Sequence, residues 1–361
     1  MADANMTTAT SETIHQATIV SNRLWAIAGI AIIVVGTVGH LLSIAVMMRS
    51  KSMRVYSSTV YLVSMSVTGI ATLYIGLLRY VMFIGISKWV VDIRDSSDAF
   101  CKFHMALTYA SLQYFAWLQA TVAVDRLISV LFPHKYHVAI KWKTALVVVV
   151  VELVAVSLLN MSVGFAVGLN EEDYCKAHAS FFFYIVWGYI DLLSYSLIPA
   201  VILIICNSII LKILGDSRLK TRSARSKNTG LARSLTVMLM SLNVFFLITT
   251  LPISIIFFIK WGDYGTQRYA VTELCWTIFS LLQYAGSACT FFVYCITGSK
   301  FREELKTLLS MFLHHSKPLG ESKACTRNTS HTALSSNDKT SYKSLQVSIH
   351  ISERNVSECH L

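Results

Sequence analysis

Residues 102–131 read KFHMALTYASLQYFAWLQATVAVDRLISVL. As a helix rising ~1.5 Å per residue, this stretch is long enough to cross the ~30 Å hydrocarbon layer of a bilayer. It closes on Asp125-Arg126-Leu127, followed by Val130 and Pro133. An arginine at the edge of a span costs roughly 2.5–3.5 kcal/mol on insertion scales, and it is tolerated where the charge faces protein or water. Arg126 stands beside its own carboxylate, just ahead of a basic loop. Further apolar stretches near 24–48, 57–84, 144–168, 181–213, 232–259 and 272–297 make seven spans in all. The second reads as the least apolar, with Arg79 inside it.

Composition agrees with a chain that lives in lipid. Hydrophobic residues make up 54% of it and charged residues 14%, against about 25% charged in a soluble domain. Residues 1–23 are polar and lack the apolar core of a cleavable signal, so span one is expected to serve as the insertion signal. Phe301, Leu305, Leu308, Leu309 and Phe312 share one helical face opposite Arg302, Glu303 and Lys306. The fold class expected is an all-α membrane protein. An extracellular tail (1–23) leads into a seven-transmembrane helix bundle (24–297). A short amphipathic eighth helix on the membrane surface (298–313) and a disordered cytoplasmic tail (314–361) follow.

Lysine and arginine placement orients the bundle. The loops after spans one, three and five carry Arg49, Lys51, Arg54, Lys135, Lys141, Lys143, Lys212, Arg218, Lys220, Arg222, Arg225, Lys227 and Arg233, against the single acid Asp216. On the opposite side, basic residues are diluted by Asp92, Asp95, Asp98, Glu171, Glu172, Asp173 and Asp263. The N-terminus is therefore read as extracellular and the C-terminus as cytoplasmic. The net charge of +11 then faces anionic membrane lipid, and no nucleic-acid motif accompanies it. Cys101 and Cys175 fall on the outer side, where disulfides persist. They allow one intrachain bridge or remain two free thiols. Asn5-Met6-Thr7 is a glycosylation sequon in the outer tail. Asn160-Met161-Ser162 lies inside span four and reads as silent.

Over roughly residues 24–313 these features resemble the rhodopsin-like (class A) family of G-protein-coupled receptors. Cys101 stands at the family's spacing from Arg126, and Asp125-Arg126-Leu127 with Pro133 matches its Asp-Arg-Tyr motif with leucine in place of tyrosine. Trp89, Pro199 and Pro252 fall where the family has its own Trp and Pro. Tyr294 with Gly298, Phe301 and Arg302 matches the end of span seven. The chain also departs from the pattern. His40 replaces the asparagine of span one, Gly69 the aspartate of span two, and Thr290-Phe291-Phe292-Val293-Tyr294 the Asn-Pro-x-x-Tyr segment. Thr249-Thr250-Leu251-Pro252 lacks the tryptophan of Cys-Trp-x-Pro. The resemblance implies a plasma-membrane receptor, not an enzyme, that couples an extracellular ligand to a heterotrimeric G protein through Asp125, Arg126, Pro133 and Tyr294. It implies arrestin as a second partner, recruited by phosphorylation of Thr326, Thr329, Ser330, Thr332, Ser335 and Ser336.

The same comparison narrows the ligand. Span seven has no lysine, and Tyr284 stands where opsins attach retinal, which excludes a covalent retinal cofactor. Thr108 stands where amine receptors carry an aspartate. The segment around 290–305 looks most like invertebrate neuropeptide receptors of the FMRFamide-receptor type, with a chemosensory receptor for external small molecules as the alternative. A transporter is the remote third reading, and neither repeated halves nor broken helices favour it.

Intramembrane charges mark ligand paths more often than not. Arg79, Asp191 and Glu273 are thus candidate ligand contacts, set against mutual pairing or, for Arg79, snorkelling to the interface. Thr108, Tyr109, Leu112, Phe257, Trp276 and Tyr284 are candidate walls, set against plain packing. His40 is expected to take over the asparagine's hydrogen bonds, and Glu152 to be protonated or bonded to a neighbouring helix. His314-His315 is too isolated for a metal site, and no cofactor fingerprint appears.

Overall fold

The computed structural model describes residues 2–50, 57–86, 92–132, 142–178, 182–220, 227–262 and 266–315. Helix α1 (Ala2–Arg49) is followed by α2 (57–86), α3 (Asp98–Leu131) and α4 (Trp142–Gly164). A hairpin of β1 (Val167–Leu169) and β2 (Cys175–Ala177) precedes α5 (182–220) and α6 (Lys227–Gly262). α7 (Thr266–Ala288) bends by 50° into α8 (Thr290–Thr297), and α9 (Ser299–His315) is the eighth-helix segment. The α7–α8 pair forms the seventh span of the bundle.

Apolarity and length alone qualify five described spans, at Ile14–Arg49, Ser57–Ile86, Trp142–Gly164, Trp187–Ile213 and Val237–Ile256, and a sixth if the bent pair counts as one. The second span is therefore not the least suited to lipid; α3 is the one that fails on composition. It packs against α2, α4, α5 and α6, so Gln113 and Gln119 are buried without facing hydrocarbon. α4 is the opposite case. Val147, Val150, Val151, Leu153, Val154 and Leu158 are all exposed, as a helix bathed in lipid tails permits.

Three boundaries differ from the sequence reading. Span one was expected from residue 24, yet its helix begins at Ala2, and packing is already made at Ser21, whose Oγ lies 2.6 Å from Thr277 Oγ1. α3 starts at Asp98, where the Ser97 hydroxyl accepts the Phe100 N–H, the usual way of satisfying a first-turn donor. Span four was expected to reach 168, but α4 stops at Gly164. The residues beyond it pair with β2 in the register Val167↔Ala177, Gly168↔Lys176 and Leu169↔Cys175.

That hairpin is fastened to the top of α3. Cys101 and Cys175 are disulfide-bonded, with Cα atoms 5.6 Å apart. Asp95 Oδ1 accepts the Cys175 N–H at 2.7 Å, and Asp98 Oδ1 accepts the Leu169 N–H at 3.0 Å. At the other end of the bundle α9 docks through Phe301, whose ring lies 5.4 Å from that of Tyr294. Arg302 donates to the Cys295 and Ile296 carbonyls in the last turn of α8, and Ser50 donates to Glu304. Phe301 and Leu308 are buried, whereas Leu309, expected on the same face, is exposed.

Two of the departures noted in the sequence meet in space. A Cβ on Gly69 would come within 2.3 Å of His40 Nε2, so the imidazole fills the room left by the missing side chain. His40 does not take over hydrogen bonds as expected. Both ring nitrogens are buried without a partner among the described residues, because the surface facing the ring is glycine. Gly69→Ala should therefore lower stability by roughly 1–3 kcal/mol through overpacking, and His40→Ala in the same chain should recover most of it. Thermal unfolding in lipid nanodiscs reads both, and an additive double variant would contradict the contact.

Candidate functional site

At the Arg126 end, Asp125 and Arg126 are both buried and pair directly, Nη2 to Oδ2 at 2.5 Å. Ser57 Oγ also donates to Asp125 Oδ1 at 3.2 Å. The pairing engages Arg126 Nε and Nη2, and through Ser57 the acid is also tied to α2. Tyr294 is fully buried beneath Phe301, and its hydroxyl has no hydrogen-bond partner among the described residues. Pro133 and Trp89 lie outside the described residues, and so does the whole phosphorylation cluster of the tail.

At the disulfide end a cavity of about 100 Å³ opens between α2, α3, α5, α6 and α7. It gathers six of the expected ligand residues, Thr108, Tyr109, Leu112, Asp191, Trp276 and Tyr284. Sequence reading missed Tyr80, Tyr195, Ile253, Ser254, Ser280 and Gln283, which complete the lining. Those residues are neutral, so the intramembrane-charge signal that singled out Asp191 passes over them. Asp191 is the one charged side chain among the described lining residues. Its Oδ1 accepts from Gln113 Nε2 at 2.8 Å. Tyr195 and Gln283 are hydrogen-bonded across the cavity floor, joining α5 to α7.

Local helix geometry aims these side chains. α2 is α-helical over Ser57–Thr72 and then widens into π turns at Leu73–Leu77 and Val81–Ile86. α5 does the same at Phe182–Val186 and Leu192–Leu197. Arg79 lies between the first pair of π turns and Asp191 between the second. π segments inside helices recur at functional sites, because the extra residue turns the following side chains relative to a regular helix. Tyr80 stacks on Trp25 at 4.6 Å, and Trp276 meets Tyr80 edge-on at 5.5 Å, closing one side of the cavity.

Arg79 and Glu273 do not line the cavity, and the side chain of Phe257 lies outside those described. Arg79 instead turns to the connection between α2 and α3. Its Nε and Nη2 form a fork on Asp92, which also accepts Arg94 Nε, Nη2 and backbone N–H. Asp92 is 2% exposed. Burial pushes its carboxyl up, yet hydrogen bonds from Arg79 and Arg94 overcome that and hold it well below the usual carboxylate range. Away from both ends, Glu152 accepts from Thr121 on α3 at 3.2 Å, the bonded alternative anticipated for it. The sequon nitrogen Asn160 Nδ2 is buried and donates to Gln113 Oε1. The Asn5 side chain lies outside those described.

Compared with known families, residues 39–294 match the 7 transmembrane receptor (rhodopsin family). A comparison with curated proteins found no match.

The fork on Asp92 predicts its own energetics. Arg79→Ala removes two donors from a buried carboxylate and should cost about 1–3 kcal/mol, while Arg79→Ala with Asp92→Ala should lie closer to the parent than the single change. The Asp92 pKa is depressed in the folded state, so its stabilisation is full above the ordinary carboxylate range and is lost progressively as pH falls from that range through the depressed value. In the Arg79→Ala variant the folded-state value moves back toward the ordinary one, so that acid loss should be smaller and end at higher pH, as read by thermal unfolding between neutral and acid pH. Identical acid limbs for variant and parent would refute the pairing.

Proposed function

Because the chain belongs to the rhodopsin family of seven-transmembrane receptors, over residues 39–294, we propose that its ligand is a neuropeptide bearing a cationic group that meets Asp191. The family makes it a multi-pass plasma-membrane receptor that passes an extracellular signal to a G protein. In our reading the disulfide end is extracellular, and a peptide terminus or basic side chain enters the cavity there. One observation carries this reading: Asp191, the one carboxylate among the described lining residues, is set among Tyr80, Tyr109, Trp276 and Tyr284. Aromatic faces and a carboxylate together suit an ammonium or guanidinium group.

Signal transfer then needs two states to which the ligand binds unequally. Proline lacks the N–H that would close a helical hydrogen bond, so Pro252 inside α6 is the weak point about which that helix swings. Release of Arg126 from Asp125 gives the G protein its contact, with Tyr294 beside it. Arrestin engages the phosphorylated tail. The cavity of about 100 Å³ favours a second reading, an external small molecule, because ligand pockets commonly measure roughly 300–1,000 Å³.

A library of amidated peptides and small organic cations, applied to cells carrying a promiscuous G protein, separates the two readings. Basic peptides are expected to activate, and Asp191→Asn to lower their potency about tenfold or more with expression retained. Arg126→Ala should abolish nucleotide exchange while ligand affinity stays unchanged. Activation by small molecules alone would establish the second reading. Normal signalling by Arg126→Ala would remove the coupling assignment.

A further inference from the structure

The carboxylate in the cavity is the end of a polar chain that crosses three helices. Gln113 on α3 donates from Nε2 to Asp191 Oδ1 at 2.8 Å, and its Oε1 accepts from Asn160 Nδ2 on α4 at 2.8 Å. Asn160 Nδ2 also donates to the Val156 carbonyl at 2.8 Å. Gln113 and Asn160 are both 0% exposed, and neither lines the cavity.

The direction of this chain is set by the backbone. A carbonyl oxygen only accepts, so the Asn160 atom that faces Val156 is the nitrogen. The same nitrogen faces Gln113, which must answer with its oxygen and turn its own nitrogen to Asp191. A primary amide has one accepting and one donating end, so reversing Gln113 would set nitrogen against nitrogen and oxygen against carboxylate. Only the unreversed orientation closes all three of these contacts, and Asn160 Oδ1 keeps no partner among the described residues. That orientation presents a donor to Asp191 Oδ1, and no described residue bonds Oδ2.

We propose that Gln113 and Asn160 are positioning residues that give the cavity its preference for cationic groups, by holding Asp191 as a hydrogen-bond acceptor from behind. This inference rests on Asp191 as the ligand anchor. An acid held as an acceptor discriminates between ligand groups of equal shape. A donor-rich cation is taken, while an uncharged group that also needs a donor finds none at Asp191. The buried amides thereby act on a ligand they never touch. Without Asn160 the Gln113 amide is free to reverse, and the preference weakens although Asp191 is intact.

The test uses the full-length receptor in lipid nanodiscs and two probes of matched shape, benzylammonium and benzyl alcohol. Apparent affinities come from the dependence of unfolding temperature on probe concentration. The parent should prefer benzylammonium. Asn160→Leu, with Asn160→Ala as the milder variant, should reduce that preference about three- to tenfold, the weight of one hydrogen bond. Gln113→Leu should reduce it at least as much, and Gln113→Leu with Asn160→Leu should be no worse than Gln113→Leu alone, because the two act in series. If the Asn160 variants melt earlier but keep the parental preference, the pair is only structural and the proposal is overturned. If Asp191→Asn binds benzylammonium as the parent does, the anchor itself is wrong and this inference falls with it. Loss of binding in Asp191→Asn beside unchanged Asn160 variants would remove the relay and leave the anchor standing.

Discussion

Hydrocarbon offers no hydrogen-bond partner, and a polar group carried into it gains by finding one inside the protein. That constraint organises this bundle. One group of its polar contacts gathers on α3 and on the faces turned toward α3: Asp125 with Ser57 of α2, Gln113 with Asp191 of α5 and Asn160 of α4, and Thr121 with Glu152 of α4. α3 thus becomes a polar axis that composition alone would not send across a membrane. The helices around it, α4 above all, give their outer faces to lipid. The two ends of the bundle inherit different chemistry from one axis. One end holds a closed charge pair and the other an open carboxylate.

The contrast between those ends bears on how they work. A buried ion pair is costly to desolvate, and its value lies more often in fixing one arrangement than in net stability. Arg126 with Asp125 has that character, since both charges are buried and a further hydroxyl braces the acid. The Arg79–Asp92–Arg94 cluster has it as well, but there it closes the connection from α2 to α3 next to the disulfide-bound hairpin. The mouth of the cavity is therefore built from fastened parts. The carboxylate of Asp191, by contrast, keeps one oxygen without a described bond.

Much of this was legible in the chain. Apolar length marked the spans other than α3, charge placement at the end of span three gave the Asp125–Arg126 pair, and six pocket residues were foreseen from their types and positions. What escaped had physical reasons. The hairpin was hidden because Val167 and Leu169 are as apolar as the helix before them, so only pairing with β2 tells strand from helix. Arg79 stood as a candidate ligand contact against structural pairing, and nothing in the order of residues says that Asp92 folds back onto it. The uncharged amides Gln113 and Asn160 carry no charge signal, and their importance lies in orientation, which only coordinates supply. His40 was given an asparagine's duties because it stands in an asparagine's place, yet the glycine opposite it offers nothing to bond.

The widened turns of α2 and α5 reach beyond this chain. A π turn holds one more residue than an α turn spanning the same contact, so α2 beyond Leu77 is out of phase with a regular helix by about 100°. An alignment that runs through this span without a gap pairs Arg79 and Tyr80 with the wrong positions of a regular relative. Homology transfer of pocket residues, and any chimera spliced within α2, must therefore place an insertion inside the membrane itself. The same phase argument gives genetics a marker. Loss of a single codon between Leu73 and Leu77 would leave a span of adequate length that still inserts, yet would carry Arg79 away from Asp92.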